Sequence, residues 1–286
     1  MPYKNHDPII LNNVSFRYNE KHILDDINIS FERNKFHSIL GPNGSGKTTL
    51  LKNILKTLPA KDKTIYIDNF DINTYKNKDL AKKMSSVPQN TNLEFDFTSF
   101  DVVLMGRSPH LKRFERESKK DYEIVKEAMN ITNTWYLKDK YINQLSGGER
   151  QKVIVARALA QKSAIILLDE PISNLDIQNQ IDIMDTLKFL NREVTIISVL
   201  HDLNLASQYS DSILLLKNGK IYSKGSPENV LTKDNLKYVY DINTYIIKNP
   251  ITGKPHIIPI SKSFLDNNGL NTDNFNDDNF FIKTLI

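Results

Sequence analysis

The sequence predicts a layered α/β fold, with an antiparallel β unit ahead of a mostly parallel core and a helical subdomain inserted into that core. Three observations predict it. Apolar and polar residues alternate with period two in the first forty residues, short apolar runs recur later, and helical spacing replaces the strand signal in mid-chain.

Taken in order, Val14, Phe16 and Tyr18 alternate with polar residues, as do Ile27, Ile29 and Phe31, which reads as antiparallel strands covered on one face. The apolar runs 38–40, 165–168, 195–200 and 213–216 suit strands buried on both faces, each followed by a turn or helix pattern. From about residue 90 to 162 helical spacing dominates, most clearly over 118–129 and 147–161, and this is the expected helical subdomain. One unit is expected over 1–260. The tail 261–286 is too rich in Asn and Asp to order itself except through Phe280, Phe281 and Leu285. Neither a repeat of 20–50 residues nor a heptad pattern is present.

Composition narrows the function. The 286 residues, 40% apolar and 25% charged, suffice for one large core, or one core with a subdomain. A net charge of +4 favours anionic nucleotides or an inner membrane face but falls short of a nucleic-acid footprint, so no nucleic-acid partner is expected. Without cysteine there is neither a disulfide frame nor a thiolate metal site, which is compatible with a reducing cytosol. The opening MPYKNHDPIILNN has no long apolar h-region, and no stretch reaches the roughly 18 apolar residues that cross a bilayer. Any membrane role is expected to come through a partner.

Gly41, Pro42, Asn43, Gly44, Ser45, Gly46, Lys47 and Thr48 fit the phosphate loop G-x-x-x-x-G-K-[ST], between the strand HSIL and the helical stretch TTLLKNILKTL. The glycines let backbone N–H groups converge on phosphate oxygens, and the helix N-terminus adds positive potential. Lys47 would span the β- and γ-phosphates and Thr48 would offer its hydroxyl to Mg²⁺, with Thr49 counted among the nucleotide-binding residues. The run 165–168 ends in Asp169 and Glu170, which period two aims in opposite directions. Asp169 is then a Mg²⁺ holder and Glu170 the general base that polarises an attacking water. A phosphate loop and a Mg²⁺ acid would equally suit a kinase or a GTPase.

A third segment decides, Leu145-Ser146-Gly147-Gly148-Glu149-Arg150-Gln151. It resembles the signature sequence of ATP-binding cassette (ABC) proteins, and the resemblance extends over about residues 9–260. It implies a P-loop NTPase core of the ABC ATPase type, with ATP and Mg²⁺ as cofactors. Ser146 would cap a helix whose N–H groups, opened by Gly147 and Gly148, form a second anion site for the phosphate loop of another copy. The remaining family switches fall in order. Gln89 would reach Mg²⁺ and the attacking water, Asp176 would contact the dimer partner, and His201 would sense the γ-phosphate. Tyr18 corresponds to the family's adenine-stacking aromatic, with core packing as its alternative. The implied catalytic set is Glu170, His201, Gln89 and Lys47; Thr48, Gln89 and Asp169 would hold Mg²⁺; Ser146, Gly147, Gly148 and Asp176 would act in trans.

Two further stretches, 101–110 (DVVLMGRSPH) and 250–256 (PITGKPH), resemble the ABC importers for ferric siderophores, haem and cobalamin. That resemblance implies a homodimer closing over two ATP, two polytopic permease subunits, an extracellular or periplasmic substrate-binding protein, and a peripheral position on the cytoplasmic face of the cell membrane. The chain departs from those importers at Ile172 and Asn174, where Thr and often His are usual, and in the tail past Ile260. Another cargo such as zinc or manganese, an exporter motor and a catalytically dead scaffold are the alternatives. So is a soluble non-transport ABC ATPase, but a chromosome-organising type would insert a long coiled coil where only 99 residues separate Lys47 from Ser146.

Overall fold

The computed structural model describes residues 7–89 and 96–264. The expectations for Phe280, Phe281 and Leu285 lie outside the described residues, as does the start of the expected helical subdomain at residue 90.

Strands β1 (Ile9–Tyr18) and β2 (Lys21–Phe31) form the predicted hairpin, closed at Asn19 with φ 51°. After β3 (Phe36–Leu40) and α1 (Lys47–Ile54), β4 (Ile65–Ile67) and β5 (Phe70–Asp71) complete an antiparallel sheet of order β2-β1-β4-β5. The period-two pattern of β1 is broken at Asn13 (φ 52°), where the register with β2 shifts between Leu11 and Val14. Ile9 and Leu11 are therefore buried, and then Val14. Helix α1 was expected to run through TTLLKNILKTL but ends at Ile54. Lys56 turns into the left-handed region (φ 57°), and the N–H groups of Thr57 and Leu58 fall back on the Lys52 carbonyl.

The second sheet has order β10-β9-β3-β8-β7-β6. It is built from β6 (Met84–Val87), β7 (Ile165–Asp169), β8 (Thr195–Val199), β9 (Ser212–Lys217) and β10 (Lys220–Gly225) around β3, all parallel except β10. Its central strands β3 and β8 are buried at every residue, as continuous apolar runs require when both faces are covered. The pleat sorts the side chains of β7 and β9. Ile165 and Leu167 join Leu214 and Leu216 in a core shared with α1 and the antiparallel sheet, while Ile166 and Leu168 join Ile213 and Leu215 in the core on the opposite face.

Helix α2 (Asn77–Lys83) precedes β6 and buries Leu80 in the core shared with α1. The opposite face carries α3 (Ser99–Leu104), α4 (Lys119–Ile131) and α5 (Gly147–Ala160), which form the helical region, and α6 (Ile177–Leu190) and α7 (Leu203–Tyr209), which flank β8 in sequence. Between residues 96 and 162 the described residues contain helices, 3-10 turns and a single isolated bridge, Thr98–Tyr141. An internal ion pair holds the helical region together. Arg107 Nε lies 2.8 Å from Asp121 Oδ1, and its other branch donates to the Ala160 carbonyl at the end of α5. The Ser118 hydroxyl and that guanidinium hold the Asp121 carboxyl down to about 2. The chain then forms α8 (Pro227–Val230), α9 (Lys233–Tyr240) and a hairpin of β11 (Asn243–Lys248) and β12 (Pro255–Ile260). No described helix is long and apolar enough to cross a membrane.

Candidate nucleotide site

Four neighbouring parallel strands end along one edge of the second sheet, the usual place for a ligand in such sheets. The loop after β3 holds residues 41–46, β7 ends in Asp169, His201 follows β8 and Gln89 follows β6.

In the loop after β3, Gly46 caps α1 at φ 101°, and a Cβ there would come within 2.8 Å of Leu24 and 2.9 Å of the Ile23 carbonyl. Only glycine accepts both the dihedral and the approach. Helix α1 has no side-chain cap and no acid in its first turn, so its leading N–H groups stay open to an anion. The buried Lys47 ammonium donates to the carbonyls of Gly41 (2.8 Å) and Pro42 (3.1 Å), which curls the loop around it. Burial lowers its pKa, and Glu170 and Asp169 act to raise it. Pro42, Asn43 and Gly44 form the exposed or half-buried lip, Ser45 is buried beneath it, and Thr49 lies in the first turn of α1.

Thr48 donates its hydroxyl to Asp169 Oδ1 at 3.1 Å. Burial raises the Asp169 pKa against the opposing Thr48 bond. Glu170 corrects one expectation. It lies beyond β7 in the left-handed region (φ 53°), so the two acids diverge because the backbone turns, and not because of the pleat. Its N–H is tied to the Val199 carbonyl at 3.2 Å, and its carboxylate is held on both sides. Gln89 Nε2 donates to Oε2 at 2.7 Å, and His201 Nε2 lies 2.6 Å from Oε1. Lys47, Thr48, Asp169, Glu170, Gln89 and His201 thus form one cluster.

The fit to Mg²⁺ rests on donor chemistry. Thr48 offers a hydroxyl oxygen, Asp169 a carboxylate, and Gln89 an amide oxygen left over once its nitrogen is bound to Glu170, a hard-oxygen set suited to Mg²⁺.

The other expected residues stand apart. Ser146 caps α5 as its S-x-x-E spacing predicts: Glu149 N–H donates to Ser146 Oγ at 3.3 Å, and the Glu149 carboxylate accepts from Ser146 N–H and hydroxyl at 2.9 Å each. These bonds hold the Glu149 pKa below the usual carboxylate range. The anion site expected there is therefore not fully open, since Glu149 occupies part of it. Gly147 is exposed, whereas a Cβ on the buried Gly148 would run into the Asn179 carboxamide. Asp176 caps α6, accepting from Asn179 N–H and Nδ2 at 2.8 Å each. Asn179 thus links Asp176 to Gly148, a connection absent from the sequence reading although the i to i+3 cap spacing signals it. Among the described residues, no hydrogen bond joins Ser146, Gly147 or Gly148 to residues 41–49. Tyr18, at the end of β1, is 46% exposed and meets Phe16 edge-on at 4.9 Å, which disposes of core packing.

A family profile described as ABC transporter matches residues 24–173. An uncharacterised ABC transporter ATP-binding protein of Methanocaldococcus jannaschii is 45% identical over 249 residues, 86% of this chain and 96% of that protein. The ferric enterobactin transport ATP-binding protein of Escherichia coli is 36% identical over 248 residues, 86% of this chain and 92% of its own length. Among solved structures, an inward-facing ABC transporter described as of metal-chelate type aligns with TM-score 0.79 and 28% identity, over 91% of this chain and all of that one. A dimeric ATP-binding cassette in a post-hydrolysis state with ADP and phosphate aligns with TM-score 0.67 and 31% identity, over 76% and 98%.

Proposed function

This chain belongs to the ABC transporter family as one of its ATP-hydrolysing subunits, and on that premise we propose that it powers import of an iron chelate through a partner permease. The observation that carries the hydrolytic part of this reading is the Glu170 carboxylate, bracketed by Gln89 and His201 beside the loop of Lys47. In this reading the open N–H groups of α1, with Lys47, bind the phosphates of ATP. Glu170 takes the proton of the attacking water, Gln89 orients that water, and His201 answers to the γ-phosphate. Thr48, Asp169 and Gln89 would hold Mg²⁺, which would supply positive charge to offset that of the phosphates. Tyr18 stacks on adenine. Its exposure supports that role.

Ser146, Gly147, Gly148 and Asp176 act on the nucleotide of a second copy, so the working unit is a dimer closed over two ATP. The dimeric relative with ADP and phosphate supports this arrangement. The cargo follows from the names of the relatives and from the stretches 101–110 and 250–256, with an extracellular or periplasmic binding protein delivering it. The chain then works peripherally at the cytoplasmic membrane face, as one ATPase unit over 1–260 followed by a separate tail.

Two experiments test the reading. Purification of the tagged chain from native membranes should recover a polytopic permease in fixed ratio, and ribosomes or nothing in its place would overturn the transporter assignment. Cells lacking this chain should lose uptake of labelled ferric siderophore; loss of zinc or manganese uptake with iron uptake intact would move the cargo.

A further inference from the structure

The stretch around residues 250–256 has no part in the cluster above, yet hairpin β11–β12 lies directly against α7, the helix that begins two residues after His201. Asn204 treats β12 as a strand would. Its Oδ1 accepts from Ile257 N–H at 2.7 Å and its Nδ2 donates to the Ile257 carbonyl at 3.1 Å. Ser207, three residues on, donates to the Pro255 carbonyl at 2.6 Å. The hairpin is itself fastened, because Lys254 Nζ lies 2.9 Å from Glu228 Oε1 on α8.

Contacts run from there to the cluster. Asp202 caps α7 by accepting from the N–H groups of Asn204 (2.7 Å) and Leu205 (2.8 Å). On the other side Leu200 N–H donates to the Ile39 carbonyl at 3.2 Å. His201 sits between these two anchors, with its ring 43% exposed and its Nε2 on Glu170. We propose that Asn204 is a positioning residue for His201, with hairpin β11–β12 as the fixed body against which it is held. Removing the carboxamide leaves the Ile257 N–H and C=O unpaired and frees the start of α7, and a displacement near 1 Å breaks a 2.6 Å contact between His201 and Glu170. Thr-Gly at 252–253, with Gly253 at φ 70°, serves to turn the hairpin so that Pro255 and Ile257 reach α7.

The inference rests on the proposed roles of Glu170 and His201, and the experiment keeps the two apart. ATP hydrolysis by the full chain is measured in single-turnover and steady-state modes for wild type, His201→Ala, Asn204→Ala and the double variant, with thermal melts alongside. Asn204→Ala is expected to lower kcat about tenfold, to change KM for ATP less than about twofold, and to add nothing in the His201→Ala background. Ser207→Ala, which cuts the contact farther from His201, is expected to lower kcat only about two- to threefold, and it carries the test if Asn204→Ala does not fold. An unchanged kcat in Asn204→Ala with a lowered Tm, or the same fold-loss with and without His201, overturns the inference. A His201→Ala variant as fast as wild type overturns instead the reading on which it rests.

Discussion

Two regions of this molecule that the proposed function assigns to ATP differ in how far one chain assembles them. The cluster at the strand ends is assembled within one chain: Thr48 is on Asp169, and Glu170 is held by Gln89 and His201. The start of α5 and the loop before α6 have their exposed polar groups bonded within their own helix starts, Ser146 to Glu149 and Asp176 to Asn179. On the proposed function, the chain would build one half-site at the strand ends and keep the other half in a self-capped form. Parallel strands bring distant residues to one edge by sheet order alone. A helix N-terminus in another region of the fold has no such route, and under the proposed function it would act on a second copy.

If the cluster is the chemical half, Glu170→Gln should lower turnover by about 10² to 10⁴ and leave ATP binding intact, since the amide keeps the shape and loses the base. Equal losses in nucleotide affinity and in turnover, read by equilibrium binding beside steady-state rates, would break the comparison. If the signature region acts only in trans, Gly148→Ala should lower turnover about tenfold through failed dimer closure while monomer ATP affinity stays within about twofold, because the new methyl displaces Asn179 from Asp176. Titration of protein concentration against specific activity would show it. Tyr18→Ala sharpens the first half from its edge: loss of one stacking partner should raise KM for ATP about fivefold with kcat unchanged.

The smallest effect separates stability from chemistry. Asp121 carries a folded pKa of about 2, below the ordinary carboxylate value, so its contribution is full above the unfolded value and fades as pH falls through 4 toward 2. Melting wild type and Asp121→Asn side by side should show their difference closing over that window, with ATP turnover near neutral pH lowered only as far as folding is.

Motifs whose chemistry lies in adjacent residues were legible in the sequence. The phosphate loop declared itself through its glycines and Lys47, and Ser146 through its capping spacing. Antiparallel and helical segments were readable because each buries a periodic face, and the parallel strands because they are short continuous apolar runs covered on both faces. The rest depends on tertiary neighbours. Strands β4 and β5 span three and two residues, too short for a period to register. The direction of Glu170 follows from a backbone turn that no side-chain pattern encodes. Asn179 and Asn204 read as ordinary polar helix residues, because their partners, Gly148 and Ile257, lie 31 and 53 residues away.

The central claim, that one chain holds half a site, is tested most directly by the mass of full-length Glu170→Gln in sedimentation velocity with and without MgATP. The account predicts a monomer that becomes a dimer on adding MgATP and fails to do so once Ser146→Phe is added. A species that binds ATP stoichiometrically and stays monomeric at all protein concentrations would contradict it.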